Sequence, residues 1–171
     1  MTPRWINYFM EMAHHAASIS KDPSTAVGAV AVDSDKNAIA TGFNGLPRGV
    51  ADIPERMERP AKYLWTSHAE ENLVATAARA GRSLSGARVF VTHYPCATCA
   101  RLLIQAGVSE LFVGDGKTSM PNEQFETSTM MFREAGVEVT MVEDVPIGSY
   151  ANTAKRMKQM MDNDALTKEW K

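Results

Sequence analysis

The chain has 171 residues, a formal net charge of -2, and 44% hydrophobic against 22% charged residues. This is ordinary usage for a globular domain large enough to bury a sizeable core. With a pI near 6.1 and no Lys/Arg run interleaved with aromatics, it lacks the basic face that proteins gripping DNA or RNA carry, so no nucleic-acid partner is expected.

The first residues, Met1-Thr2-Pro3-Arg4-Trp5, lack the charged-then-apolar layout of a signal peptide. No apolar run approaches the roughly 20 residues of a membrane span, so a cytoplasmic protein is expected. Thr2 and Pro3 suit a helix start, and Trp5, Tyr8 or Phe9, Met12, Ala16 and Ile19 recur at helical spacing as a core or interface stripe. Residues 27–32 and 38–41 read as short strands joined by the turn formers Asp33-Ser34-Asp35-Lys36-Asn37, a hairpin. Residues 44–66 form a polar stretch that contains prolines. Ser67 reads as the N-cap of a second helix with Leu73, Val74, Ala77 and Ala78 on its inner face.

A strand follows at 88–92, then a helix opening at Cys96 and Cys99 with Ala100, Leu102, Leu103, Ile104 and Ala106 behind them. A strand at 110–113, a helix near 124–135 and a strand at 137–142 complete the pattern. Helices alternating with strands predict an α/β layered fold, and the opening hairpin makes its sheet mixed. Residues 1–145 are expected to form the main domain. The stretch 146–171, with Ala154, Met157, Met160 and Met161 on one helical face, is expected to be a helical extension that packs on this domain or on a neighbouring subunit.

His68-Ala69-Glu70 and, further on, Pro95-Cys96-Ala97-Thr98-Cys99 are the chemically informative groups. One imidazole and two thiolates are zinc donors. A structural zinc normally takes a fourth side chain, whereas three donors leave a position for water, whose pKa the metal lowers towards roughly 7. The start of a helix favours both thiolates through its N–H groups and dipole.

Alternatives stand beside this reading. Cys-x-x-Cys alone also suits a redox pair or half of a structural zinc knuckle. Ser67-x-x-Glu70 also suits a capping box. Spacing does not choose Glu70 over Glu71, since residues three and four apart, not two, share a helix face. His93, close to the cysteines, and His14 and His15 are the other histidines. Each is expected to be an ordinary structural or solvent-facing side chain.

His-Ala-Glu followed by Pro-Cys-x-x-Cys resembles the signature of the cytidine deaminase-like zinc deaminases. The resemblance implies a three-layer α/β/α fold with a mixed five-stranded sheet. It also implies one Zn2+ per subunit on His68, Cys96 and Cys99, with Glu70 as the proton shuttle.

Two further stretches narrow the likeness. Residues 20–29, Ser-Lys-Asp-Pro-Ser-Thr-Ala-Val-Gly-Ala, and residues 42–49, Gly-Phe-Asn-Gly-Leu-Pro-Arg-Gly, resemble paired motifs of the deoxycytidylate (dCMP) deaminases, as does Gln105-Ala106-Gly107-Val108. Asn44 has a donor and an acceptor for a sugar hydroxyl, and Gly45 and Pro47 shape a turn. Lys21 and Arg48 are candidate phosphate partners, with solvated loop charges as the plainer reading.

The implied activity is hydrolysis of dCMP to dUMP and ammonia, which supplies dUMP for thymidylate synthesis. Asn44, Ala69, Lys21, Thr25 and Lys117 are the expected substrate contacts. The resemblance also implies a homo-oligomer, with a hexamer favoured. Regulation would be by dCTP (activating) and dTTP (inhibiting), bound with Mg2+ near Asn44, Gly45, Leu46, Pro47 and Arg48.

One departure stands out. Several of these enzymes place a substrate-contacting tyrosine after the fourth strand, where this chain has Val113-Gly114-Asp115-Gly116-Lys117-Thr118. Deamination of another small substrate such as cytidine or guanine, or of a base in nucleic acid, remains an alternative. So does a non-catalytic zinc-binding interaction module.

Overall fold

The computed structural model describes residues 1–116 and 118–142. Lys117 and the expected extension over 146–171 lie outside the described residues. In chain order the elements are α1 (Pro3–Ala17), β1 (Gly28–Val32), β2 (Ala38–Phe43), a 3-10 turn (Pro54–Arg56), the short helix α2 (Lys62–Trp65), α3 (Ala69–Arg79), β3 (Arg88–His93), α4 (Ala97–Gln105), β4 (Glu110–Gly116), α5 (Asn122–Glu134) and β5 (Glu138–Met141). The sheet has five strands in the order β2-β1-β3-β4-β5. Strand β1 runs antiparallel to β2 and β3, whereas β3, β4 and β5 are parallel and joined through α4 and α5. The mixed sheet between helical layers is the expected architecture.

Strand β1 is buried on both faces and β3 nearly so, which is why they read as almost unbroken apolar runs. Alternate residues serve opposite layers. Ala29, Ala31, Val89, Val91, Leu111 and Val113 share a core with Leu73, Leu103 and Phe132 of α3, α4 and α5. Val30, Val32, Phe90 and Phe112 share the other with Phe9, Met10 and Ala13 of α1. Each large apolar side chain buried this way contributes about 1.5–3 kcal/mol relative to leaving it exposed.

Two glycines set how closely helices approach the sheet. A Cβ on Gly28 would lie 2.0 Å from the Ala13 carbonyl oxygen, and one on Gly42 would lie 2.2 Å from that of Ala69. Gly42 therefore seats the first turn of α3, and the residues that open it, against β2.

Helix α1 begins where Thr2 and Pro3 suggest, but it buries Phe9, Met10, Ala13 and Ala17. Of the stripe expected through Trp5, Tyr8 or Phe9, Met12, Ala16 and Ile19, Phe9 is in the core and Met12 packs against it, while Tyr8 at 51% and Ile19 at 59% exposed lie to one side. Adjacent aromatic residues allow either register. The sheet selects the one that sets the small Ala13 and Ala17 over Gly28. The polar 44–66 stretch carries the 3-10 turn and α2, where Lys62 is buried. Among the described residues no helix is long and apolar enough to cross a membrane.

Candidate active site

Two helix starts supply the chemically active groups. The N-cap of α3 is His68, in extended backbone at φ -71° and ψ 163°, one residue beyond the expected Ser67. The His68 N–H donates to Glu71 Oε2 at 2.7 Å. Glu71, three residues on, therefore satisfies the helix end, and the alternative that assigned this task to Glu70 is overturned. Ser67 instead bridges Gly45, whose N–H donates to the Ser67 carbonyl at 3.0 Å and whose carbonyl accepts from the Ser67 N–H at 2.9 Å. Cys96 is the N-cap of α4, and Cys99 lies fully buried in its first turn.

His68 Nδ1 stands 3.3 Å from Cys99 Sγ and 3.4 Å from Cys96 Sγ, and the three donor atoms all lie within 4.8 Å of one another. Tetrahedral zinc with bonds of about 2.0–2.3 Å separates its donors by about 3.5 Å. The three side chains thus already stand at the spacing such a metal requires. Among the described residues no fourth His, Cys, Asp or Glu joins them. His93 ends β3 with its Nδ1 2.9 Å from Thr92 Oγ1.

Electrostatics within the cluster is cooperative. The hydrogen bond with Cys99, and further that with His68, hold the Cys96 thiol down to about 4 against the effect of burial. The hydrogen bond to Cys96 raises His68 to about 9, also against burial. Cys99 is pushed up by its bond to Cys96 and by desolvation. Glu70 is 4% exposed, and burial pushes its carboxyl up to about 7. In that range a carboxyl both takes and gives a proton at neutral pH.

His68, Ala69, Glu70 and Cys96 open into one cleft, with Thr25 and Asn44 on its wall. That wall is built by a pair absent from the sequence reading, Lys62 and Asp22. Lys62 Nζ donates to Asp22 Oδ1 at 2.9 Å, to Asp22 Oδ2 at 2.7 Å and to Ser24 Oγ. Asp22 also accepts from the backbone N–H groups of Ser24 and Thr25. Asn44 Nδ2 donates to the Thr25 carbonyl at 2.9 Å and to Asp22 Oδ2 at 3.3 Å, while its Oδ1 accepts from the Val27 N–H at 2.8 Å. Asn44 is thus held by both ends of its amide as it faces the cleft. Burial raises the Asp22 carboxyl, but the bonds from Lys62, Ser24 and Thr25 outweigh it and hold the group below the ordinary aspartate range.

The remaining sequence candidates lie elsewhere. Lys21 is 73% exposed at its side chain and paired with Asp52. Gly45 is buried, Leu46 half-buried, and Pro47 and Arg48 exposed; none of these five lines the cleft. Lys117 falls outside the described residues. Besides Lys62 and Asp22, the sequence reading missed Arg59, Tyr63, Thr66, Ser119 and Met120, which also line the cleft. The Lys-Tyr pair at 62–63, just upstream of His68, was the available signal, but nothing local marks a partner forty residues away.

Comparison with known proteins agrees with this geometry. The family model described as the cytidine and deoxycytidylate deaminase zinc-binding region matches residues 3–115. An uncharacterized deaminase from the luxG 3' region of Aliivibrio fischeri is 43% identical over 143 residues, covering 82% of this chain and 95% of that protein. The human deoxycytidylate deaminase is 33% identical over 139 residues, covering 78% and 76%. Among solved structures, the dCMP deaminase of cyanophage S-TIM5 in complex with dCMP and dUMP superposes with a TM-score of 0.69 at 25% identity, over 83% of this chain and 99% of that one.

Proposed function

The chain belongs to the cytidine and deoxycytidylate zinc deaminase family, and from that premise we propose that it hydrolyses dCMP to dUMP and ammonia, with Glu70 carrying the protons. One observation carries the mechanism. The buried Glu70 carboxyl, relieved of helix capping by Glu71, faces the same cleft as a three-donor His/Cys/Cys cluster.

His68, Cys96 and Cys99 would hold the zinc, which when bound would supply the Lewis acidity that makes water a competent nucleophile near neutral pH. Glu70 takes a proton from the attacking water and delivers one to ring N3 as C4 becomes tetrahedral. It then takes the proton of the new C4 hydroxyl and passes it to the amine, which leaves as ammonia as the C4–N bond breaks and the C4 carbonyl forms; its raised pKa suits both transfers. The backbone N–H groups of Ala69 and Cys96, at the two helix starts, would stabilise charge that develops on the substrate. Thr25 and Asn44, locked by the Lys62–Asp22 pair, shape the wall against which the sugar packs. Deaminases of other small rings would have no use for that wall as a deoxynucleotide contact.

The test is ammonia release from dCMP, deoxycytidine, cytidine, guanine and a single-stranded oligonucleotide. Preference for dCMP is expected, with activity lost on chelation and restored by Zn2+. Equal turnover of dCMP and deoxycytidine would remove the nucleotide assignment.

We further infer from the family resemblance a cytoplasmic homo-oligomer, with a hexamer favoured, activated by dCTP and inhibited by dTTP with Mg2+ at the 44–48 turn. The bridge from Gly45 to Ser67 joins that turn to the residue before His68 and supplies a route for coupling. Identical dCMP saturation curves with and without dTTP would remove this inference.

A further inference from the structure

A mononucleotide differs from a nucleoside by a phosphate dianion, and a cleft that prefers the former needs a positive charge not already neutralised by the protein. Lys62, the one ammonium group lining the cleft among the described residues, directs Nζ to both oxygens of Asp22 and to Ser24 Oγ. These three contacts use its whole donor set. Lys21 and Arg48, the phosphate candidates of the sequence motifs, do not line the cleft. Arg59 does. It is the one guanidinium on the lining among the described residues, and no ion pair found among them includes it.

The polar partner of Arg59 is neutral. Nη2 donates to Ser119 Oγ at 3.0 Å, and the guanidinium lies 6.0 Å from the Tyr63 ring centroid. The bond to Ser119 holds the guanidinium at the cleft and leaves most of its five N–H donors uncommitted. Ser119 Oγ accepts from Arg59 and so keeps its own proton to donate. Thr118, Ser119 and Met120 line the cleft beside it, at and just after the end of the 113–118 stretch, where the expected tyrosine is absent.

We propose that Arg59 and the Ser119 hydroxyl form the clamp for the terminal phosphate of the substrate, the guanidinium supplying the forked charge-assisted bonds and the serine a further donor. This rests on the dCMP reading above and names the residues that make the site select a nucleotide over a nucleoside. Arg59 acts in binding and leaves the protons of the reaction to Glu70.

The test uses the full chain loaded with Zn2+. Arg59→Ala is expected to raise KM for dCMP roughly ten- to hundredfold, the loss of a charge-assisted bidentate contact, with kcat within about twofold. Its kcat/KM on deoxycytidine should stay within about twofold of wild type. Arg59→Lys should recover only part of the loss, since a point charge lacks the planar fork. Inorganic phosphate should compete with dCMP on the wild type and lose that effect in Arg59→Ala. Ser119→Ala should shift KM for dCMP in the same direction by less, which keeps the clamp testable if the arginine variant fails to fold.

An unchanged KM for dCMP in the arginine variants, or an equal loss on dCMP and deoxycytidine, would overturn the clamp while leaving the deaminase assignment standing. A wild type with no preference for dCMP over deoxycytidine would instead remove the assignment and the clamp together.

Discussion

The metal end of the cleft and its substrate wall are built by different means. At the metal end, His68 and Cys96 are N-caps and Glu70 and Cys99 lie within the first turn of each helix, so short-range backbone geometry sets nearly all of their directions. The wall is assembled from Asp22, Asn44 and Lys62, whose bonds span 22 and 40 residues of chain. Arg59 reaches Ser119 across 60. On the proposed reading, reactivity is therefore local and compact, whereas selectivity depends on tertiary contacts between side chains. Changes at the metal end should stop chemistry with little effect on folding, and changes in the wall should act on stability and binding.

The sharpest way to break this contrast is Glu70→Gln. It is expected to lower kcat on the order of 10^3-fold with metal content and unfolding midpoint near wild type, read by ammonia release, metal analysis and denaturant unfolding. Loss of bound zinc in this variant would mean that Glu70 belongs to the ligand set.

On the wall, Lys62→Met leaves the Asp22 carboxylate, only 4% exposed at its side chain, without its counter-charge. Unpairing a buried ion pair in this way costs about 3–5 kcal/mol, to be seen in urea unfolding. The pH dependence has a definite sign. The folded Asp22 carboxyl sits below its ordinary value, so its contribution is complete above the ordinary aspartate range and disappears as pH falls through the depressed folded value. Asp22→Asn should accordingly destabilise at neutral pH, and the difference from wild type should narrow in acid.

Gly42→Ala probes the joint between the two regions, because its Cβ would meet the backbone of Ala69. A loss of about 1–3 kcal/mol is expected, as for other overpacking substitutions. Turnover should fall as well, since the displaced turn carries His68 and Glu70.

The smallest effect concerns the metal itself. His68 is raised to about 9 and Cys99 is pushed up, so both must lose protons to become ligands. Zinc uptake should release protons and weaken as pH falls, which calorimetry in buffers of different ionisation enthalpy would measure.

The alternation of elements was legible in the chain because strands buried on both faces and amphipathic helices have different periods. Residue choices at individual helix faces were less so. The aromatic run in α1 was consistent with two registers, and only the close approach of Ala13 and Ala17 to Gly28 distinguishes them. The same limit applied at α3, where Ser67 with Glu70 matched the capping pattern and the cap falls one residue later. The observed cap at His68, answered by Glu71, places Glu70 among the buried groups beside the metal donors.

The sequence by itself determined the α/β layering, because periodicity is a property of short segments, and its resemblance to the zinc deaminases implied the donor set of His68, Cys96 and Cys99 with an acidic neighbour. Tertiary structure decided that Lys62 is bound up by Asp22 and that Arg59 rather than Lys21 lines the cleft. Those outcomes depend on which side chains meet across the fold, and an ion pair between residues forty positions apart leaves no periodic trace in the chain.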